Sequence, residues 1–83
     1  MGRFQILWFL QAGRLKISSR TILGKNVNRL RNLRGLTQEK LAELVSVDRR
    51  YIQRIEQGTA NPGVDVIGRL KHALKVEWSE LLE

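Results

Sequence analysis

The segment from Leu36 to Gly58, LTQEKLAELVSVDRRYIQRIEQG, constrains the fold more than any other part of this chain. Its apolar residues recur at helical spacing in two short runs, and the turn-forming sequence Ser46-Val47-Asp48 separates them. The pattern predicts two short amphipathic helices joined by a tight turn. The second helix carries three arginines, so the placement of its polar side chains decides what the pair can bind.

The second predicted helix, at about residues 48–57, separates long polar side chains from apolar ones. At about 100° per residue, the polar side chains fall within one arc of roughly 140°. They are Arg49, Arg50, Gln53, Arg54 and Gln57. Tyr51, Ile52 and Ile55 fall on the other side. Arginine and glutamine form paired hydrogen bonds with guanine and adenine edges in the major groove of DNA, which admits a helix. The polar face therefore suits base reading, although taken alone it also fits an ordinary solvated surface.

The first predicted helix of the pair, from about Gln38 to Val45, favours the DNA-binding interpretation. Thr37 precedes this helix and is a suitable N-cap. The predicted inner side consists of Leu41, Ala42, Leu44 and Val45. Because Ala42 is small, a second helix can cross it closely, as a helix-turn-helix requires.

Helical periodicity and turn residues predict three further helices, one before the pair and two after it. The apolar positions are Leu23, Val27, Leu30 and Leu33 in the first helix, Val64, Ile67, Leu70 and Leu74 in the fourth, and Trp78, Leu81 and Leu82 in the fifth. Gly35 can close the first helix near Arg34, and Asp48 suits the N-cap of the third. The predicted fold is therefore all-α, with five helices around one modest core.

From about Leu23 to Leu82, the chain resembles the repressor/Cro-like helix-turn-helix family, also called XRE-type or lambda repressor-like. Five segments carry the resemblance, namely LGKNVNRLRNLRGLTQ, QEKLAEL, DRRYIQRIEQG, NPGVDVIGRLKHALKV and WSELL. Within the family, RRYI followed by IEQG and NP is most similar to the controller proteins of restriction-modification systems. The resemblance implies a sequence-specific DNA-binding transcriptional regulator that binds a roughly palindromic operator as a homodimer.

The resemblance also implies roles for individual residues. The implied base readers are Arg49, Arg50, Gln53 and Arg54, and the implied DNA-backbone contacts are Thr37, Gln38, Tyr51 and Asn61. Gln38 is further expected to brace the third helix. Arg31 and Glu56 are expected to form a partly buried ion pair between the first and third helices. Ser46 and Lys75 stand where the family often has glycine, which adopts the left-handed conformation expected at the turn more easily.

The first twenty residues have no counterpart in the family, so we treat them as an extension and residues 21–83 as the DNA-binding domain. Phe4 to Leu10, FQILWFL, is apolar at six of seven positions and predicts a short strand or hairpin. Three interpretations of the extension stay open, which are a dimerising element, a segment folded onto the helical domain, and a disordered leader. The apolar run is too short to span a membrane and lacks a clear export cleavage site.

Composition agrees with an intracellular binding protein. Fifteen Lys and Arg against eight Asp and Glu give a formal charge of +7, which favours DNA or another anionic partner. Residues 1–25 carry five of these bases and no acid. The chain has no cysteine, which is compatible with a cytoplasmic location. Its single histidine, His72, has no companion for metal or acid–base chemistry, so we expect no enzyme activity, cofactor or metal site.

Two other functions remain compatible with the sequence. The chain could be an antitoxin or adaptor that binds a protein through its aromatic N-terminal run and binds DNA secondarily. It could also bind nucleic acid through charge alone, without discriminating between sequences. No membrane or small-molecule partner is evident. At the C-terminal end, Val76, Trp78, Leu81 and Leu82 supply more apolar surface than one short helix needs for docking, which favours a dimer.

Overall fold

The structure is a computed structural model and describes residues 18–83. The predicted strand or hairpin near Phe4 lies outside the described residues. Within residues 18–83 the chain forms five α-helices and no strand, which confirms the predicted all-α fold. The helices are α1 (Ser19–Leu33), α2 (Gln38–Val45), α3 (Arg49–Glu56), α4 (Val64–Leu74) and α5 (Trp78–Leu82).

Helix α1 begins at Ser19, so its first two residues lie in the segment 1–20 that the sequence analysis treated as an extension. The side chain of Ser18 accepts a hydrogen bond from the backbone N–H of Thr21 at 3.2 Å. A serine at this position satisfies one of the N–H groups that a helix start leaves free. The family resemblance begins later, so the DNA-binding domain predicted from it starts at residue 21, after this cap.

The helices of the central pair begin at their predicted caps. Thr37 accepts a hydrogen bond from the backbone N–H of Lys40 at 3.0 Å. Asp48 accepts one from the backbone N–H of Arg50 at 2.9 Å. Between the helices, Ser46 adopts the left-handed conformation with φ of 64°, which carries some strain for a residue other than glycine. Capping side chains therefore fix where the two helices begin, and one strained residue forms the turn between them.

The core lies between all five helices and is made of aliphatic side chains. The buried residues are Leu23, Val27, Leu30, Leu41, Ala42, Val45, Ile52, Ile55, Ala60, Leu70, Leu74, Val76 and Leu81. Val76 and Leu81 were expected to contribute to an apolar outer surface, and this expectation was wrong because both pack into the core. The apolar surface left outside is therefore smaller than the sequence suggested.

Five large apolar residues of the described helices are exposed, and of these Leu33, Leu44 and Val64 were expected in the core. The exposed fractions are 66% for Leu33, 50% for Leu44, 77% for Val64, 45% for Trp78 and 46% for Leu82. Four of them are the first or last residue of a helix, where the chain extends past its packing neighbours. Leu44 lies at the edge of the apolar arc of α2, and its neighbours Leu41, Ala42 and Val45 take the buried positions.

Three helix C-termini are capped by side chains from distant parts of the chain. The Arg34 guanidinium donates to the carbonyl of Leu74 at 2.9 Å, and Arg69 donates to the carbonyl of Val45 at 3.1 Å. Asn26 donates to the carbonyl of Leu81 at 2.7 Å. Each bond satisfies a carbonyl that the last turn of a helix leaves without a partner. These contacts attach α4, α2 and α5 to the rest of the fold.

Helix α1 approaches the end of α3 so closely that it requires glycine at position 24. A Cβ atom added to Gly24 would overlap the carbonyl oxygen of Ile55 and lie 2.9 Å from that of Glu56. Both obstacles are backbone atoms, so no side-chain rotation relieves them. The close contact brings Glu56, the last residue of α3, against the side of α1.

Replacing Gly24 by alanine should therefore destabilise the fold. Overpacking of this kind costs about 1–3 kcal/mol, which exceeds the gain of about 0.5–1 kcal/mol from alanine's higher helix propensity. The matched control is Gly68→Ala in α4, where an added Cβ meets only the Trp78 ring at 3.8 Å. Urea unfolding should show a loss of stability for Gly24→Ala and a gain for Gly68→Ala. Equal stabilities of the two variants would contradict the close approach.

Candidate nucleic-acid interface

One side of α3 presents an uninterrupted set of exposed polar side chains. Its members are Arg49, Arg50, Gln53 and Arg54. On the opposite side of the helix, Ile52 and Ile55 are fully buried, and Tyr51 is half-buried against the core. The division of the helix into a packed face and an open face is the one that its sequence predicts. The amphipathic pattern thus turns the arginines towards solvent.

The three arginines of this face carry uncompensated charge. Among the described residues, neither Arg49, Arg50 nor Arg54 has a carboxylate within ion-pairing distance. A polyanion can therefore engage them without first breaking an internal ion pair. This charge arrangement distinguishes the face from a surface on which each base is matched by a neighbouring acid.

The N-terminus of α2 adjoins this face. Thr37 and Gln38 line a shallow depression there together with Arg31, Glu39 and Arg49. Free backbone N–H groups and the positive end of the helix dipole make such a position favourable for an anion. Thus the fold brings four of the residues singled out from the sequence to one depression.

Two other candidate residues lie elsewhere around α3. Tyr51 forms a cation–π contact with Arg54, whose Cζ lies over the tyrosine ring at 5.6 Å from its centre. Asn61 is exposed in the loop between α3 and α4. Neither residue lines the depression at the start of α2. The candidate residues therefore form a continuous face on α3 with flanking groups, rather than one enclosed pocket.

Glu56 is the centre of a hydrogen-bond network that joins three helices. Its Oε2 accepts from Nε of Arg31 at 2.6 Å, which makes the ion pair between α1 and α3. Its Oε1 accepts from Arg31 Nη2 at 3.2 Å, from Asn28 at 2.8 Å and from Gln38 Nε2 at 3.0 Å. Arg31 also donates to the carbonyl of Leu36 at 2.8 Å. Glu56 therefore connects α1 and α2 to the end of α3. Arg31 adds a bond to the chain between α1 and α2.

The network also determines the charge state of Glu56. Burial raises the pKa of this carboxyl, but the hydrogen bonds from Arg31, Asn28 and Gln38 and the positive charge of Arg31 outweigh that effect. The net result is a pKa below the ordinary glutamate value. The carboxylate therefore stays ionised and can accept all of these bonds at neutral pH.

Sequence reasoning found part of this network. The Arg31–Glu56 pair was expected from the family resemblance, and Gln38 was expected to brace α3. Asn28 was missed, although it stands three residues before Arg31 and hence on the same side of α1. That spacing alone gave no reason to prefer Asn28 over the many other polar residues of the helix.

Other kinds of site find little support in the part of the chain that the structure describes. Within residues 18–83, no group of three or more His, Cys, Asp or Glu side chains is placed to hold a metal ion. A search of the same residues finds no helix that is long and apolar enough to cross a membrane.

Comparison with known proteins decides the family. A family model described as helix-turn-helix matches residues 27–81. The control protein C.BamHI of Bacillus amyloliquefaciens is 37% identical over 65 residues, which cover 77% of this chain and 80% of that protein. The chain belongs to the helix-turn-helix family. Its similarity to a control protein agrees with the XRE-type resemblance seen in the sequence.

Two further similarities support the assignment. The HTH-type transcriptional regulator y4dJ of Sinorhizobium fredii is 36% identical over 63 residues, covering 76% of this chain and 82% of that protein. The crystal structure of the restriction-modification controller protein C.AhdI from Aeromonas hydrophila superposes with a TM-score of 0.71 at 37% identity, covering 75% and 94% of the two chains. The helix-turn-helix family consists of DNA-binding regulators rather than enzymes, and this member is a DNA-binding regulator.

Removing the charge of Glu56 should test the network. The Arg31 and Glu56 side chains are 12% and 6% exposed, so Glu56→Gln leaves a largely buried guanidinium without its counterion. We expect a loss of about 3 kcal/mol, the lower end of the cost of breaking a buried pair. The control is Glu43→Gln, which removes an exposed pair with Lys40 whose side chains are 56% and 72% exposed. That change should cost less than about 1 kcal/mol in urea unfolding.

The same comparison has a defined pH dependence. Because the folded pKa of Glu56 is lowered, its stabilising effect is fully present above the unfolded pKa of about 4.3. The effect is lost as pH falls through the folded pKa. The stability difference between the wild type and Glu56→Gln should therefore shrink below about pH 4.3. A difference that is constant from pH 7 to acid would show that the carboxylate charge does not matter.

Proposed function

We propose that this regulator binds double-stranded operator DNA in a sequence-specific manner, as a homodimer, with α3 in the major groove. The observation that carries the proposal is the exposed set of arginines on α3, none of which is paired with a carboxylate of residues 18–83. The cytoplasm is the compartment proposed for this activity, because DNA is the proposed partner.

The proposed base readers are Arg49, Arg50, Gln53 and Arg54. Arginine forms two hydrogen bonds with the O6 and N7 atoms of guanine, and glutamine pairs with adenine in the same groove. Three arginines on one helix therefore favour a guanine-containing half-site. A helix of this length presents its exposed side chains to only a few successive base pairs, so the specificity of the regulator depends on which arginine faces which pair.

The proposed backbone contacts are Thr37, Gln38, Tyr51 and Asn61. Thr37 and Gln38 are supported by their position at the start of α2, where a phosphate oxygen meets backbone N–H groups. The amide nitrogen of Gln38 carries two hydrogens, so it can donate to Glu56 and to a phosphate at the same time. Contacts of this kind set the register of α3 on the duplex.

Homodimer formation is proposed because a two-fold protein reads a palindromic site with two copies of α3, about 34–36 Å apart. The exposed apolar residues Leu44, Val64 and Trp78 line one shallow groove, together with Asp65 and Arg69. A two-fold contact between two such grooves brings the same patch of each copy together and covers its apolar side chains. We propose this groove as the dimer surface.

A narrower role is also proposed. C.BamHI is a control protein, and C.AhdI is a restriction-modification controller. Their similarity to this chain supports a regulator of a restriction-modification system. An antitoxin or adaptor role becomes the better proposal only if the chain does not discriminate between DNA sequences.

Alanine substitution tests the base readers. On the preferred duplex, obtained by selection from random DNA, replacing Arg49 or Arg50 should cost about 1–3 kcal/mol and relax selectivity at one base pair in each half-site. Arg20, exposed in the first turn of α1, is the control. If Arg20 touches only phosphate, Arg20→Ala should weaken all sequences equally and reduce the slope of log affinity against log salt by about one unit. An unchanged preferred sequence after joint replacement of Arg49, Arg50 and Arg54 would exclude α3 as the reader.

Glutamate substitution tests the dimer surface. Val64 is 77% exposed and Leu33 is 66% exposed, and each lies at a helix end, so a charge at either position should leave the fold intact. Sedimentation of the full chain should show a dimer for the wild type and for Leu33→Glu. It should show a monomer for Val64→Glu, because the contact would then bury a charge among the apolar side chains of the groove. A wild-type monomer, both free and on DNA, would remove the homodimer from the proposal.

A further inference from the structure

Tyr51 and Arg54 form a cation–π contact on α3. They are three residues apart and therefore lie on neighbouring parts of the helix surface, where the guanidinium carbon is 5.6 Å from the ring centre. The tyrosine ring is held by its packing against the core, whereas the Arg54 side chain is exposed. The ring thus gives the arginine a fixed surface to lie on.

The main chain at Arg54 is held as well. Its carbonyl accepts hydrogen bonds from the backbone N–H groups of Thr59 and Ala60, at 3.0 and 3.2 Å. It also lies 3.2 Å from the hydroxyl of Thr59, which donates to it. Hydrogen bonds therefore hold the backbone of Arg54, and its guanidinium lies over a ring that packing holds in place.

We propose that Tyr51 is a positioning residue, which determines specificity by holding the Arg54 guanidinium in the orientation that reads a base. The inference rests on the proposed function, because it assumes that Arg54 contacts a base. An arginine free in solution loses conformational entropy when a base fixes it, and a side chain that is already oriented loses less. A cation–π contact with the ring takes up no hydrogen-bond acceptor, so N–H groups of the guanidinium stay free to donate to a base.

The arrangement is particular to Arg54. Among the described residues, neither Arg49 nor Arg50 has a cation–π contact with an aromatic ring. Arg54 also stands at the edge of the polar arc, next to Tyr51. Selectivity at the base pair that Arg54 reads should therefore depend on the tyrosine ring.

The positioning role belongs to the ring of Tyr51 and is separate from the backbone contact proposed for its hydroxyl. A tyrosine that binds phosphate does so through its hydroxyl, and it acts on every sequence alike. A ring that positions Arg54 acts without the hydroxyl and only through Arg54. Tyr51→Phe removes the hydroxyl and keeps the ring, whereas Tyr51→Leu removes the ring and keeps apolar bulk against the core.

The experiment measures affinities of the full chain for the preferred duplex and for duplexes changed at single base pairs. The variants are Tyr51→Phe, Tyr51→Leu, Arg54→Ala and the double variant Tyr51→Leu/Arg54→Ala. We expect Tyr51→Leu to bind the preferred duplex about two- to five-fold more weakly, the equivalent of one exposed cation–π contact. The lost discrimination should fall on the base pair that Arg54→Ala relaxes. Tyr51→Phe should retain wild-type discrimination, and Tyr51→Leu should have no added effect in the Arg54→Ala background.

Three results would overturn the inference. The first is an equal effect of Tyr51→Leu with and without Arg54. The second is a loss for Tyr51→Leu that is uniform on all duplexes and no larger than that for Tyr51→Phe, which assigns the whole effect of Tyr51 to its hydroxyl. The third needs no variant: in the NMR spectrum of the wild type, ring current from Tyr51 should shift the Arg54 δ-protons upfield, and unshifted signals would exclude the contact.

Failure of the proposed function is a separate outcome. A wild type that binds all duplexes equally removes base reading altogether. A wild type that discriminates, with Arg54→Ala discriminating equally well, removes Arg54 from the readers and the positioning role with it. A discriminating wild type with an effective Arg54 and no coupling to Tyr51 overturns the inference alone.

Discussion

The arrangement of the other helices depends on the hydrogen bonds that the ionised carboxylate of Glu56 accepts. It stands at the end of α3 and accepts hydrogen bonds from Arg31 and Asn28 of α1 and from Gln38 of α2. A buried carboxylate is costly unless its lone pairs are satisfied. Because donors on α1 and α2 satisfy them, a shift of either helix away from α3 leaves part of the charge without a partner. The network therefore favours one relative position of the three helices.

This position connects packing with DNA binding. Gly24 allows α1 to approach the end of α3, and the Glu56 network then holds Gln38 at the start of α2 beside the arginines of α3. The proposed phosphate contacts and the proposed base readers thus belong to one rigid unit. A site placed on helices that are mutually hydrogen-bonded keeps its geometry better than one placed on loops, and base recognition depends on such geometry.

Local features were predictable from the sequence because their causes are local. The capping residues Thr37 and Asp48 and the division of α3 into two faces each depend on residues a few positions apart, whereas the left-handed Ser46 was expected from the family resemblance. Contacts between distant residues were predicted less well, and the arginine that caps α2 from α4, Arg69, went unnoticed because it donates to a carbonyl 24 residues away. Helical periodicity also overestimated the burial of residues at helix ends, as Val64 shows. The pattern indicates on which face of a helix a side chain lies, but not whether another part of the chain covers that face. The base-reading roles came from residue chemistry and family resemblance, and they remain proposals.

Base reading by α3 in the major groove is tested most directly by methylation interference on the preferred duplex. Methylation of guanine N7 blocks the atom that an arginine of α3 would contact. If the arginines read guanine, methyl groups at guanines of two half-sites, centred about 10–10.5 base pairs apart, should abolish binding, and methylation elsewhere should have no effect. Binding that tolerates N7 methylation at every guanine of the preferred duplex would contradict major-groove reading by this helix.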